Sequence, residues 1–250
     1  MNLPESVISD IKRIVADWRE SSGTERIIRN YRQQEKLFWP AAKDRDMVFK
    51  ADTAVELGSP DQESISFVAW TQNPSLVEDG NITLVGPDIC EASAQSLSFG
   101  KAVFARVHGF TEDNCCARLR EMDLARFRVR LDGYMMRAVS QYMREWSRIS
   151  RKAAGSGLTF AVLGSAMIEE IKKLEYVTEA ELVVITSSAE DVRVLKPSRD
   201  RLMSYTGALT KMTEEQETDC RNCRYRDICG ETEELRKMRQ KLADKTRPRK

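Results

Sequence analysis

Apolar residues recur at helical spacing from the start of the chain: Val7, Ile8, Ile11, Ile14, Val15 and Trp18 fall on one face of a 3.6-residue repeat. Ser21-Ser22-Gly23 interrupts that pattern, and Thr24 is placed to cap a second helix carrying Ile27, Ile28 and Tyr31. Trp39-Pro40 ends it. From about Asp46 the pattern shortens to strands: 65–70, 81–85 and 102–107 are β-branched or aromatic runs. Asn73-Pro74, Asp79-Gly80 and Gly86-Pro87 supply the turns between them.

Glu112 to Arg130 and Gly133 to Ala154 then read as helices, the second with Met136, Val139, Tyr142, Met143 and Trp146 on one face. The alternation in Arg126-Phe-Arg-Val-Arg-Leu131 leaves a strand open there. Gly155-Ser-Gly157 is a hinge or helix C-cap. A strand over 158–162, a helix over 165–174 and a strongly apolar strand over 180–186 follow. Ser187-Ser188 can cap the next helix, with Asp191 in its first turn. Further helices are predicted over 195–212, restarting or kinking at Pro197, and over 231–242.

Strands alternating with helices after residue 98 predict a mixed, layered α/β domain. The expected organisation is a helical extension over 1–45, an α/β domain over 46–215, and a short cysteine-rich segment with a charged helical tail over 216–250. There is no internal repeat and no low-complexity tract. A formal charge of +1 gives no global field toward nucleic acid or a membrane. No apolar run approaches the roughly 18 to 20 residues a transmembrane helix needs, and Met1-Asn-Leu-Pro-Glu-Ser lacks a signal-peptide layout. Partners of either class are therefore not expected, and a cytoplasmic location is. In a reducing compartment six cysteines mean metal ligands or thiols before disulfides.

Three of those cysteines, Cys220, Cys223 and Cys229, form C-x2-C-x5-C within Asp219-Cys-Arg-Asn-Cys-Arg-Tyr-Arg-Asp-Ile-Cys229. A C-x2-C pair on a tight turn aims two thiolates at one point, and a third can cap the same centre. Thiolate sulfur is a soft donor, so iron–sulfur clusters and zinc are the realistic occupants. Three ligands with no Cys or His after Cys229 favour a 4Fe-4S cluster over a closed zinc knuckle. Cys90, Cys115 or Cys116 could supply a fourth ligand if the fold brings one near. Cys115-Cys116 sits at a predicted helix start, where the macrodipole favours thiolate.

The single histidine, His108, leaves no candidate for a Ser-His-Asp triad and reads as a hydrogen-bonded structural residue at a strand end. No G-x-G-x-x-G, G-x4-G-K-[ST] or G-x-S-x-G occurs.

The segment Asp79-Gly-Asn-Ile-Thr-Leu-Val-Gly-Pro-Asp-Ile89 resembles the opening of the central region of acetyl-CoA synthase, the β subunit of the carbon monoxide dehydrogenase/acetyl-CoA synthase complex. The resemblance continues, in order, through Gly133-Tyr-Met, Gln141 to Ala153, Ala180 to Ser188 and Asp219-Cys-Arg-Asn-Cys223, and so covers roughly 79–229. In that family the last of these matches the first C-x2-C of a nickel–iron–sulfur cluster. The third cysteine here follows after only five residues, and the family's nickel-binding Cys-Gly-Cys has no counterpart, so assembly of the nickel site is not expected from these residues. The ending Cys-x2-Cys-x-Tyr-Arg-Asp-Ile-Cys is also similar to iron-staple nucleases and to auxiliary-cluster motifs of radical S-adenosylmethionine enzymes, but neither family's catalytic residues are present.

Arg118, Arg120, Arg126, Arg128, Arg130, Arg137, Arg144, Arg148 and Arg151 concentrate basic charge in the middle of the chain. Guanidinium forks pair with phosphoryl oxygens, and the resemblance implies CoA binding near this region, with Arg137 and Arg144 as the candidates. The competing reading is a solvated helix face paired with Glu112, Glu121, Asp123, Asp132 and Glu145, with Trp146 packed in the core. Two functions follow. One is an iron–sulfur accessory module docking on a CO dehydrogenase or corrinoid partner. The other is an enzyme or split-enzyme subunit binding CoA or a one-carbon substrate at an open cluster iron. A zinc clip for folding is the third reading.

Overall fold

The computed structural model describes residues 2–21, 26–43, 47–140, 144–213 and 223–246. It is a mixed α/β protein with two sheets. The larger sheet has the order β1-β4-β9-β6-β3 and the smaller β5-β2-β8-β7. In the larger sheet these strands are β1 (Ile28–Arg32), β3 (Ser64–Thr71), β4 (Asn81–Val85), β6 (Phe99–Val107) and β9 (Val177–Ile185). In the smaller they are β2 (Thr53–Leu57), β5 (Ser96–Leu97), β7 (Tyr134–Ser140) and β8 (Arg144–Ser150). The pairs β3/β6 and β4/β9 are parallel, while β6/β9 and β1/β4 are antiparallel.

Strands buried on both faces read as continuous apolar runs, as the second half of β9 does, whereas the equally buried β4 carries Asn81 and Thr83, the former donating to Glu181 Oε1 at 3.1 Å. Helix α4 (Phe160–Lys172) covers one face, where Gly164 lets it approach so closely that a Cβ there would sit 3.0 Å from Ile82 and Leu182. Helix α5 (Ala189–Arg193) covers the other, where a Cβ on Gly100 would lie 3.5 Å from Val192 and 3.0 Å from Leu195, just past the helix. Helix α1 (Leu3–Glu20) starts with a capping box between Asn2 and Glu5. It buries Val7, Ile8, Ile11 and Val15 while packing on β3 and on α6 (Lys196–Thr213).

The predicted strands over 65–70, 81–85, 102–107 and 180–186 all form, and Ser188 caps α5 by accepting from Asp191 N at 3.1 Å. The Gly155–Gly157 break ends α3 (Arg151–Gly155), where Leu158 N donates to Ala153 O at 3.0 Å.

Three local expectations are overturned. Ile27 to Tyr31 is not a helix: residues 28–32 add to the sheet edge as β1, Ile28 opposite Val85. Thr24, its expected cap, lies outside the described residues. Residues 158–162 are not a strand, because α4 already begins at Phe160. The helix expected over 133–154 is the hairpin β7–β8 followed by α3. Tertiary pairing decides this one: Glu145, Ser147 and Ile149 share one face and are buried, while Arg144 and Trp146 stand half-exposed on the other, where Arg148 is covered and pairs with Glu56. Gly133 enters the hairpin at φ +77°, where a Cβ would lie 2.4 Å from that of Ala153. Residues 126–128 form a short 3-10 turn after α2 (Cys115–Ala125) rather than a strand.

Candidate functional site

Helix α6 organises the cysteine-bearing part of the molecule. It packs against α2, against α7 (Arg226–Glu231) and against α8 (Glu233–Thr246). Cys115 and Cys116 open α2, their Sγ atoms 4.0 Å apart. Their side chains diverge in environment. Cys116 Sγ lies 3.2 Å from Thr213 Oγ1 and 3.8 Å from Thr210 Oγ1, both on α6. Cys115 is buried, donates to Glu112 O at 3.5 Å, and lines a cavity of about 260 Å³ with Trp70, Tyr205, Leu209 and Met238. The helix start does not make Cys115 a thiolate as expected. Its hydrogen bond with Cys116, together with burial, pushes its pKa up instead.

Of the late cysteines, Cys220 lies outside the described residues. Cys223 is half-buried, and Cys229 is buried on α7. Tyr225, between them, lies against Gly207 of α6, where a Cβ would fall 2.5 Å from the tyrosine hydroxyl. Among the described residues no three Cys, His, Asp or Glu side chains gather as a metal cage. Cys90 is exposed in the 3-10 turn Ile89–Glu91, which packs near α3. His108 directly follows β6, its Nε2 3.0 Å from Glu175 O, a structural hydrogen bond.

The two arginines singled out from the sequence sit on the hairpin. The exposed Arg137 stacks on Trp146, its guanidinium carbon 5.3 Å from the ring centre, and Arg148 lies over the same ring at 5.3 Å. Arg144 donates to Gln62 O at 2.7 Å. Trp146 is therefore half-exposed on an outer sheet face rather than packed in the core, and its Nε1 donates to Glu56 Oε2 at 3.2 Å.

Sequence reasoning missed a charged interior where the two sheets meet. Lys101 on β6 and Glu145 on β8 are both buried and form an ion pair. Ser66 Oγ donates to Glu145 Oε2 at 3.1 Å, and Glu145 N donates to Ser64 Oγ at 3.0 Å. Arg126 Nη1 stands 4.0 Å from the same carboxylate and also pairs with Asp123. Arg126 Nε and Glu145 Oε1 have no hydrogen-bond partner among the described residues. Burial lowers the Lys101 pKa, and burial with the nearby Glu145 charge raises that of Tyr134. The solvated helix face expected to pair Glu145 with arginines does not exist. The usable signal was Lys101 inside the apolar run Phe99–Val107, an improbable place for a lysine without a partner.

The family model for the CO dehydrogenase/acetyl-CoA synthase complex beta subunit matches residues 40–192, more than half of the chain. The chain belongs to that family. A search of curated proteins gives no match. The matched span of this CO dehydrogenase/acetyl-CoA synthase relative holds eight of the nine strands among the described residues, β2 through β9, and Cys115, Cys116, Lys101, Glu145, Arg137 and Arg144. It begins earlier than the resemblance over 79–229 and stops before α6 and the late cysteines. No described helix is long and apolar enough to cross a membrane.

Proposed function

We propose that this CO dehydrogenase/acetyl-CoA synthase relative is an iron–sulfur accessory subunit, in which the family α/β body carries a 4Fe-4S cluster held by Cys220, Cys223 and Cys229. The observation that carries the reading is the closely spaced thiol triplet, whose described members Cys223 and Cys229 flank a tyrosine seated on α6. The donor set is all sulfur, which suits iron–sulfur chemistry. Such a cluster would give the subunit an electron-transfer or docking role beside a CO dehydrogenase or corrinoid partner. Protein purified without oxygen should hold about four iron and four sulfide per chain, with a broad absorbance bleached by dithionite. About one zinc and no sulfide would replace this reading with a structural clip.

A second reading is favoured by the outer hairpin face. Arg137 and Arg148 flank Trp146, and Arg144 follows on the same face. Guanidinium groups around an aromatic ring suit a nucleotide bearing phosphates, as in CoA. Calorimetric titration with CoA tests it, and absence of heat at millimolar ligand would discard it.

A further inference from the structure

Residues one apart on an α-helix do not face each other. Cys115 and Cys116 nevertheless bring their sulfurs to 4.0 Å at the first turn of α2. No side-chain cap holds that turn. Asn114, just before it, accepts from Thr111 N and donates to Gly109 O, each at 2.9 Å. The backbone bonds from Cys115 N to Thr111 O and from Arg118 N to Asn114 O, both 3.1 Å, hold it instead. Each sulfur has its own cavity. Cys116 is half-buried and lines one of about 190 Å³ with Val68, Leu119 and Thr210. The buried Cys115 lines the cavity of about 260 Å³, and Trp70 lines both. A bond between the two sulfurs would be strained, because adjacent Cα atoms stand ~3.8 Å apart and a relaxed disulfide spans ~4.4–6.8 Å. Strained disulfides are the labile, regulatory ones. Closing the sulfurs from 4.0 Å to a bond of ~2.05 Å needs backbone movement, and the uncapped turn is where it can occur.

We infer that Cys115 and Cys116 are a reversible dithiol–disulfide pair, whose oxidation by a small disulfide such as oxidised glutathione opens the start of α2 and draws Cys116 off α6. The Cys116 thiolate attacks one sulfur of the reagent and expels the first glutathione thiolate. Cys115 passes its proton to that thiolate and attacks the Cys116 sulfur. The second glutathione leaves with the proton Cys116 gave up. Two protein thiols are oxidised, and one reagent disulfide is reduced to two thiols. The order follows exposure: Cys116 is the more accessible sulfur, while its bond to Cys116 and burial keep Cys115 protonated. In the reduced form Cys116 Sγ sits 3.2 Å from Thr213 Oγ1 and 3.8 Å from Thr210 Oγ1, tying α2 to the last turn of α6. The bridge removes that tie from the helix on which α7 and α8 pack. Both cysteines lie within the family-matched span, so the device is independent of the three late thiols.

The test takes the full chain, purified without oxygen, through glutathione buffers from reducing to oxidising, followed by acid quenching, alkylation and mass mapping. Trypsin releases residues 107–118, which hold Cys115 and Cys116 and no other cysteine. In oxidising buffer that fragment should lose two hydrogens and take no alkyl group, and dithiothreitol should restore alkylation of both thiols. In Cys115→Ser, Cys116 should stop as the mixed disulfide with glutathione. Amide hydrogen exchange over 111–118 should be several-fold faster in oxidised than in reduced wild type. Two alkylated thiols in the most oxidising buffer, glutathione retained on wild-type Cys116, or a bridge from either residue to any other cysteine overturns the pair. A closed bridge with unchanged exchange overturns the opening of α2. Mapping of the wild type decides the pairing even if Cys115→Ser fails to fold.

Discussion

Lys101 and Glu145 come from different sheets and neutralise one another in the interior, at the place where edge strand β3 of the large sheet meets β8 of the small one. Ser64 and Ser66 complete the junction from β3. Removing one partner strands a buried charge, which typically costs about 3–5 kcal/mol. Lys101→Met and Glu145→Gln should each lower the unfolding free energy by that order, read from urea titrations. The double replacement Lys101→Met/Glu145→Leu should recover most of the loss, because the desolvation of both charges disappears with them. Single losses below about 1 kcal/mol would mean the pair does not hold the sheets together.

Gly207 makes a sharper test of how the C-terminal segment is seated. Alanine in a helix interior is ordinarily favoured over glycine by about 0.8–1 kcal/mol. Here the added methyl would lie 2.5 Å from the Tyr225 hydroxyl and 2.6 Å from its ring, so Tyr225 must move. Gly207→Ala should therefore fail to stabilise the wild type, and should lower iron content if the cluster depends on this seat. In a Tyr225→Ala background the same change should stabilise by about the propensity difference. Equal stabilisation in both backgrounds, read by thermal unfolding, would remove Tyr225 from its place on α6.

The contrast between β9 and β8 explains how far the sequence carries. Ala180 to Ile185 is apolar apart from Glu181 and long enough for a strand. Arg144 to Ser150 carries the weaker signal of alternation, but Trp146 and the methionines before it also fit a helical face, and the register that decides lies on β2, some ninety residues upstream. Glu145 was hidden for the same reason: helical numbering places it on a solvated face, whereas strand numbering buries it. The late cysteines were legible because ligand spacing is local. The proximity of Cys116 to α6 was not, since it depends on how α2 and α6 pack. Helices α1, α6 and α8 form where apolar spacing, Pro197 and a charged run respectively predicted them.

Alkaline pH should destabilise the fold. Burial, with a hydrogen bond to Asp88, pushes the Tyr31 pKa up from 10.0 to about 12. Burial likewise raises Tyr134, Tyr176 and Tyr205. A group raised in the folded state gives stability that is full below its unfolded pKa of about 10 and is lost as pH rises through the folded value. Lys101 has the opposite sign: its lowered pKa makes its contribution fullest above 10.5 and lost as pH falls through the folded value. With four tyrosines against one lysine, stability should fall between about pH 10 and about pH 12. Urea midpoints across that range check this, and Tyr31→Phe should flatten part of the fall. A midpoint that rises over the same window would contradict it.

Glu56 anchors the outer face that carries the CoA reading. It accepts from Arg148 Nε at 2.8 Å and from Trp146 Nε1 at 3.2 Å, and is largely buried. Glu56→Ala leaves a buried guanidinium without its carboxylate and should cost about 1.5–3 kcal/mol, the usual worth of a bond to a charged group. Arg137 is exposed and only stacks on the ring, so Arg137→Ala should cost at most about 1 kcal/mol. That difference allows binding to be separated from folding. If CoA sits on this face, it should change the fluorescence of wild type, and the change should vanish in Trp146→Phe while weakening in Arg137→Ala without loss of stability. Arg144→Ala, which also frees the Gln62 carbonyl, should weaken it too. A CoA response that survives both Trp146→Phe and Arg137→Ala would place the ligand elsewhere on the molecule.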